Sequence, residues 1–297
     1  MSKMIPPPVW FISAASSGFG RETALQALDR GHVVIATARN PAKIQDLADA
    51  GADTMAFDVT SPLPDIEAVA KEIFTRYGRV DYLVNAAGFI TDGAVEEVSP
   101  EEMYNAFNTN VFGTVNTIHA FLPHMRKQTS SSSGIRGTVV TFGSIASWEG
   151  GPTYAIYSMV KGCMSLLAES LKPELSPFNI VATVVEPGYF RTNFLNADAK
   201  ITSKVRLPEY EDENTPTGKL RKALKAVTNN QPGDVKKGCK VLVDILTRSG
   251  VAEGREIPVR ICLGPDADVF IREKANKTTA LLDEWKDIFT STDYTEE

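Results

Sequence analysis

Apolar runs of strand length alternate with amphipathic stretches of helix length through most of this chain. Residues 9–13 (VWFIS), 32–38 (HVVIATA), 54–57 (TMAF), 81–84 (DYLV), 138–142 (TVVTF) and 178–185 (FNIVATVV) read as strands. Several are nearly unbroken apolar runs, the pattern of strands buried on both faces. Helical periodicity covers about 21–29, 62–77, 100–127 and 152–175, with Pro173 and Pro177 marking the end of the last. Farther on, 232–248 reads as a helix and 256–262 as a final strand, with Pro258 at an edge or an entry point. Residues 265–289 form one more helical stretch with an acidic end. Repeated βα units predict an α/β fold, a Rossmann-like doubly wound parallel sheet with right-handed crossovers. Ligands in such sheets gather at the carboxyl ends of the strands. The turns beginning at Ala14, Arg39, Asp58 and Asn85 therefore share one edge.

The remaining segments fit around that sheet. Residues 129–137 (TSSSSGIRG) are polar, lead into a strand, and read as a flexible loop on the edge away from the ligand. Residues 189–232 are long and irregular in pattern, with Tyr189, Phe190, Phe194 and Leu195 first and a charged run after, and are expected to form a substrate lid. No repeat or second boundary is visible, so a single domain is expected, with its core at about 8–263 and a C-terminal extension at 264–297. The length of 297 residues, with 43% apolar and 23% charged, is that of a globular chain with a sizeable core. A net charge of −6 offers no footprint for nucleic acid or anionic lipid. Cys163, Cys239 and Cys262 stand far apart in no metal-binding spacing, and read as reduced thiols. With no apolar segment of signal or membrane-spanning length, the chain is expected to be soluble and cytoplasmic.

Three places carry candidate chemistry. The turn Ala14-Ala-Ser16-Ser17-Gly18-Phe19-Gly20 lies between a strand and a helix, where small residues admit a phosphate to helix N-terminal amides. Ala14 stands near the place of the first glycine in the dinucleotide fingerprint. Arg39 ends the second strand, where an acidic residue would suit a ribose 2′-hydroxyl; an arginine suits a 2′-phosphate, with Lys43 close by. Without the preceding turn, Arg39 would read as a solvated strand-end cation. Tyr157 and Lys161 are four apart on one helical face, thirteen residues after the strand end at Ser144. An ammonium beside a phenol lowers its pKa, and a serine hydroxyl could hold a carbonyl oxygen there, a set suited to proton transfer. A plain surface helix would match the Tyr/Lys spacing equally well. Glu186, at the end of its strand, reads as solvated or bonded to backbone and is left out of the chemistry.

The ordered set Ser13…Gly18-x-Gly20, Asn85-Ala86-Ala-Gly88, Asn110, Ser144, Tyr157-x-x-x-Lys161 and Pro187-Gly188 resembles the short-chain dehydrogenase/reductase family over about residues 8–192. The resemblance implies an oxidoreductase that reduces a ketone or aldehyde, or oxidises an alcohol, using NADP(H). It assigns catalysis to Asn110, Ser144, Tyr157 and Lys161, with Asn110 holding a water behind Lys161. It assigns the cofactor to Ser13, Ala14, Ser16 to Gly20, Arg39, Asp58, Val59, Asn85, Ala86, Gly88, Tyr157, Lys161, Pro187, Gly188 and Thr192, and no metal. It also implies a homodimer or homotetramer. The aromatic residues of the lid suit a small-molecule substrate with apolar surface, although core packing explains them equally well. A non-redox activity such as dehydration or cyclisation, or a nucleotide-binding regulatory role, is the alternative on the same fold.

Overall fold

A computed structural model describes residues 6–131, 134–192, 200–228 and 230–294 of the chain. In chain order the elements are β1 (Val9–Ile12), α1 (Gly18–Asp29), β2 (Val33–Ala38), α2 (Gln45–Asp49), β3 (Asp53–Ala56), α3 (Leu63–Tyr77), β4 (Tyr82–Val84) and β5 (Ile90–Asp92). There follow α4 (Pro100–Phe107), α5 (Gly113–Met125), β6 (Gly137–Phe142), α6 (Ala155–Leu175), β7 (Ile180–Pro187), β8 (Phe190–Arg191) and β9 (Lys200–Thr202). The last are α7 (Pro208–Glu211), α8 (Pro216–Val227), β10 (Gly233–Asp234), α9 (Val235–Thr247), β11 (Arg260–Leu263), α10 (Pro265–Glu284) and α11 (Lys286–Phe289).

Seven strands form one parallel sheet in the order β11-β7-β6-β4-β1-β2-β3. Alternation within β1 shows how it is covered: Trp10 and Ile12 pack with Val34, Ala36, Leu242 and Leu246. Val9 and Phe11 pack the other way, with Ile35, Ile73, Leu83 and Phe121. Both faces are dry because helices cross on both, which is why these strands lack polar alternation. The strand order reverses at β1, between β2 and β4, and that opens a crevice at the carboxyl ends. The Ser13 hydroxyl spans it, accepting the Ala86 N–H at 3.0 Å and donating to the Val84 carbonyl at 3.4 Å.

Several elements depart from the periodicity. The stretch 100–127 is not one regular helix, because a wider π-helical turn, Asn108–Phe112, separates α4 from α5. Asn110 sends its side-chain amide back to the Ala106 carbonyl at 2.9 Å, and Gly113 lies flat against Val59, where a Cβ would come within 2.8 Å. Helix α6 begins at Ala155 rather than 152, since Thr153 takes a left-handed φ of 67°. It also runs through Pro173, giving up one internal bond near its end. Strand β11 lies at the sheet edge and starts beyond Pro258. The region 189–232 holds more regular structure than its pattern announces: β9 pairs with β5, β10 pairs with β8, and α7 and α8 follow. Phe194 and Leu195 of the expected lid, and Ser132 and Ser133 of the polar loop, lie outside the described residues. Among the described residues no helix is long and apolar enough to cross a membrane, and no acidic, His or Cys cluster could hold a metal.

Candidate active site

The carboxyl ends of β1, β2, β4, β6 and β7 open into one cavity of about 480 Å³. Its first wall is the turn after β1. Ala14 holds a left-handed φ of 52° and Gly18 one of 56°. Gly20 packs on the turn so closely that a Cβ there would stand 2.8 Å from the Ala14 carbonyl oxygen. The first turn of α1 lines the cavity through Gly18, Phe19 and Gly20, so N–H groups without intrahelical partners are available to a phosphate. These features fit a dinucleotide pyrophosphate. Ala14 is the strained member: a Cβ in the left-handed region costs about 1–2 kcal/mol. Ala14→Gly should therefore stabilise the protein by about 0.5–1 kcal/mol, after allowance for the more flexible unfolded chain. Thermal unfolding should rise by about 1–4 °C, and a fall would show that the methyl group contributes packing worth more than the strain.

Ser16, Ser17, Arg39, Asp58, Val59, Ala86, Gly88, Pro187, Gly188 and Thr192 also line the cavity. Arg39 is exposed and has no ion pair among the described residues. Asp58 is turned partly inward, its Oδ1 accepting from the Thr60 backbone at 2.9 Å and hydroxyl at 2.8 Å. Lys43 is exposed and outside the lining. Ser13, Asn85 and Asn110 are buried and do not reach the cavity surface. Asn85 ties β4 to β6 through the Val140 carbonyl at 3.2 Å. Asn110 stands behind Gly88, whose missing Cβ would fall 2.5 Å from Asn110 Oδ1 and 3.4 Å from Lys161 Nζ. That close approach is what Gly88 permits.

Ser144, Tyr157 and Lys161 line the same cavity. Ser144, just past β6, is hydrogen-bonded through its side chain to Tyr157. Lys161 Nζ donates to the Phe142 carbonyl at 2.9 Å and lies 5.7 Å from the Tyr157 ring centre. Tyr157 and Lys161 are 8% and 5% exposed, and that burial governs their titration. Removal from water pushes the Tyr157 phenol well above its ordinary value, with the Ser144 hydrogen bond pulling the other way. The same cause lowers Lys161 to about 8. The shift expected from the Tyr/Lys spacing is thus reversed here: burial raises the Tyr157 phenol where a neighbouring ammonium alone would lower it.

Glu186 also departs from its expected solvated role. It is fully buried near the carboxyl end of β7, accepting from Ser165 Oγ at 2.6 Å, Trp148 Nε1 at 3.0 Å and Arg260 at 2.5 Å. The cavity further gathers residues that carried no signal in the sequence. Phe89, Ile90, Tyr154 and Leu224 add apolar lining beside Phe190, which the aromatic start of the 189–232 segment had pointed to. Phe270 reaches in from α10, so the C-terminal extension forms part of the wall. Asp266, at the start of that helix, accepts the Tyr189 N–H at 2.6 Å. The contact pins the extension to the turn after β7.

The family described as short chain dehydrogenase matches residues 8–201. This chain belongs to that family. Among its relatives, 3-ketodihydrosphingosine reductase of Bacteroides thetaiotaomicron is 37% identical over 192 residues, 63% of this chain and 66% of that relative. A short-chain dehydrogenase from Streptomyces avermitilis is 34% identical, with a TM-score of 0.84 covering 97% of this chain and all of the other. A more distant member from Burkholderia phymatum, solved in complex with NAD, shares the fold at 20% identity and a TM-score of 0.70 over 99% of each chain. The named relatives of this short-chain dehydrogenase are oxidoreductases.

Proposed function

We propose that this chain reduces a ketone or aldehyde with NADPH, or runs the reverse oxidation. One observation carries the reading: the Ser144–Tyr157 hydrogen bond and the buried Lys161 open into the same cavity as the Gly18–Gly20 turn. Ser13, Ala14, Ser16 to Gly20, Asp58, Val59, Asn85, Ala86, Gly88, Pro187, Gly188 and Thr192 would hold or support the dinucleotide. Arg39, free of carboxylates and exposed at the cavity mouth, favours a 2′-phosphate there. When bound, the reduced nicotinamide supplies hydride to the carbonyl carbon.

The protein's own contribution is the proton. Ser144 and Tyr157 hold the carbonyl oxygen by hydrogen bonds, and the Tyr157 hydroxyl transfers its proton to that oxygen as negative charge develops. A phenol with a raised pKa keeps its proton until the oxygen becomes basic enough to take it. Lys161, charged below about pH 8, stabilises the resulting phenolate. Asn110 would help return the proton by way of water behind Gly88. Phe89, Tyr154, Phe190 and Phe270 favour a small molecule with apolar surface, and the ketone in the Bacteroides relative's name supports the reductive direction.

The same reading takes residues 8–263 as the core of a single domain, 189–232 as its lid and 264–297 as its extension. It takes the protein as cytoplasmic, and as a homodimer or homotetramer because α4, the turn Asn108–Phe112, α5 and α6 leave Tyr104, Phe112, Val115, Met159 and Leu166 exposed. A panel of carbonyl compounds, followed by loss of NADPH absorbance, tests the reaction. Conversion of a substrate without NADPH loss would instead establish a non-redox activity on this fold.

A further inference from the structure

A second cavity of about 340 Å³ adjoins the first, and Asp92, Lys200 and Leu224 line both. Its walls come from the lid and from β5, and four cations face it: Lys200, Arg206, Arg221 and Lys225. Three carboxylates answer them. Asp92 Oδ2 is shared by Lys200 at 3.3 Å and Arg206 at 3.1 Å. Glu97, fully buried, takes Arg206 at 3.4 Å and pairs closely with Arg221, whose other nitrogen lies 2.5 Å from Glu211. One positive charge is left over.

A staple fixing the lid to β5 would account for Arg206 and Arg221. It leaves Lys225 without a purpose: this exposed side chain in the last turn of α8 faces the cavity and has no carboxylate partner among the described residues. Asp92 Oδ1 and Arg221 Nε are buried without hydrogen-bond partners, within side chains that already form ion pairs. We propose that this cavity receives the anionic end, a carboxylate or phosphate, of a carbonyl substrate whose reacting end lies at Tyr157. The proposal deepens the reductase reading and rests on it for the reaction. Lys200, at the junction of the two cavities, and Lys225, at the far wall, would bracket the anion. The apolar middle of the substrate would lie against Ile90, Ile201 and Leu224.

The test uses methyl-ketone carboxylic acids of increasing chain length, each with its methyl ester and the corresponding amine. The best acid should show a KM about tenfold below its ester, as one added ion pair in a partly closed site allows, and the amine should be poorest. In Lys225→Glu the acid's KM should rise about tenfold, with kcat unchanged and the ester's KM moved less than about twofold. Ketones ending in phosphate distinguish the two anions. Acid and ester behaving alike at every length, preference for the amine, or equal effects of Lys225→Glu on acid and ester would each overturn the proposal. Calorimetric titration of the same acids with saturating NADP+ separates the two readings. Binding that depends on Lys225, without any NADPH oxidation, would leave the anion site standing and remove the reductase reading. Absence of such binding removes the anion site itself.

Discussion

Tyr157→Phe should lower turnover by about 10²–10⁴-fold while cofactor affinity stays within about twofold. The substitution removes one hydroxyl from a buried ring and leaves the packing of α6 on β6 and β7 in place. It takes away the proposed proton donor and the hydrogen-bond partner of Ser144. Stopped-flow turnover and fluorescence titration of NADPH measure the two quantities separately. Near wild-type turnover would end the assignment. The pH profile of the wild type provides the companion test. Below about 8 Lys161 is an ammonium and stabilises the phenolate left after proton transfer; above that value its charge is lost. Reductive kcat should therefore fall as pH rises through about 8, although Tyr157 itself is still protonated there. The same depressed Lys161 pKa opposes folding when the group is charged. Its unfavourable contribution therefore fades between about 8 and the ordinary value of 10.5, so the loss of activity should not be accompanied by unfolding from this group.

The second large effect is expected at Arg39. Arg39→Asp should weaken NADPH binding by about 10–10²-fold, the range expected for losing a charge-assisted hydrogen bond to phosphate. NADH should bind no worse, since the new carboxylate can accept from a ribose 2′-hydroxyl. Arg39 is exposed with no ion pair among the described residues, so the fold is not expected to suffer. Equal losses for both dinucleotides would refute the 2′-phosphate role. Turnover measured with saturating NADH separates this site from the proton chemistry, because Arg39 follows β2 whereas Ser144 follows β6 and Tyr157 stands in α6.

Much of the architecture was legible in the sequence because burial on both faces leaves a simple mark. A strand such as β6, sandwiched between helix layers, has no polar alternation to blur it. The Gly18–Gly20 turn and the Tyr157/Lys161 pair were visible because close backbone approach and helical spacing are local demands. Boundaries were less legible. The Asn110 turn is set by a side-chain amide and by Gly113 pressed against Val59, a neighbour some fifty residues away in the chain. The conformation of Ala14 was open for the same reason: whether φ is positive depends on how the turn must fit beneath Gly20.

Local spacing and composition, read along the chain alone, were enough for the parallel sheet, the family and the residues brought to one edge. Only the three-dimensional packing decided which way the buried groups shift and how far distant segments reach. Burial, which no spacing encodes, reverses the expected effect on Tyr157 and draws Glu186 into a closed network with Trp148 and Arg260. Phe270 and Lys225 are ordinary helical residues until α10 and α8 fold back over the strand ends. Hydrophobic periodicity records which side of an element is covered; it does not record which element does the covering.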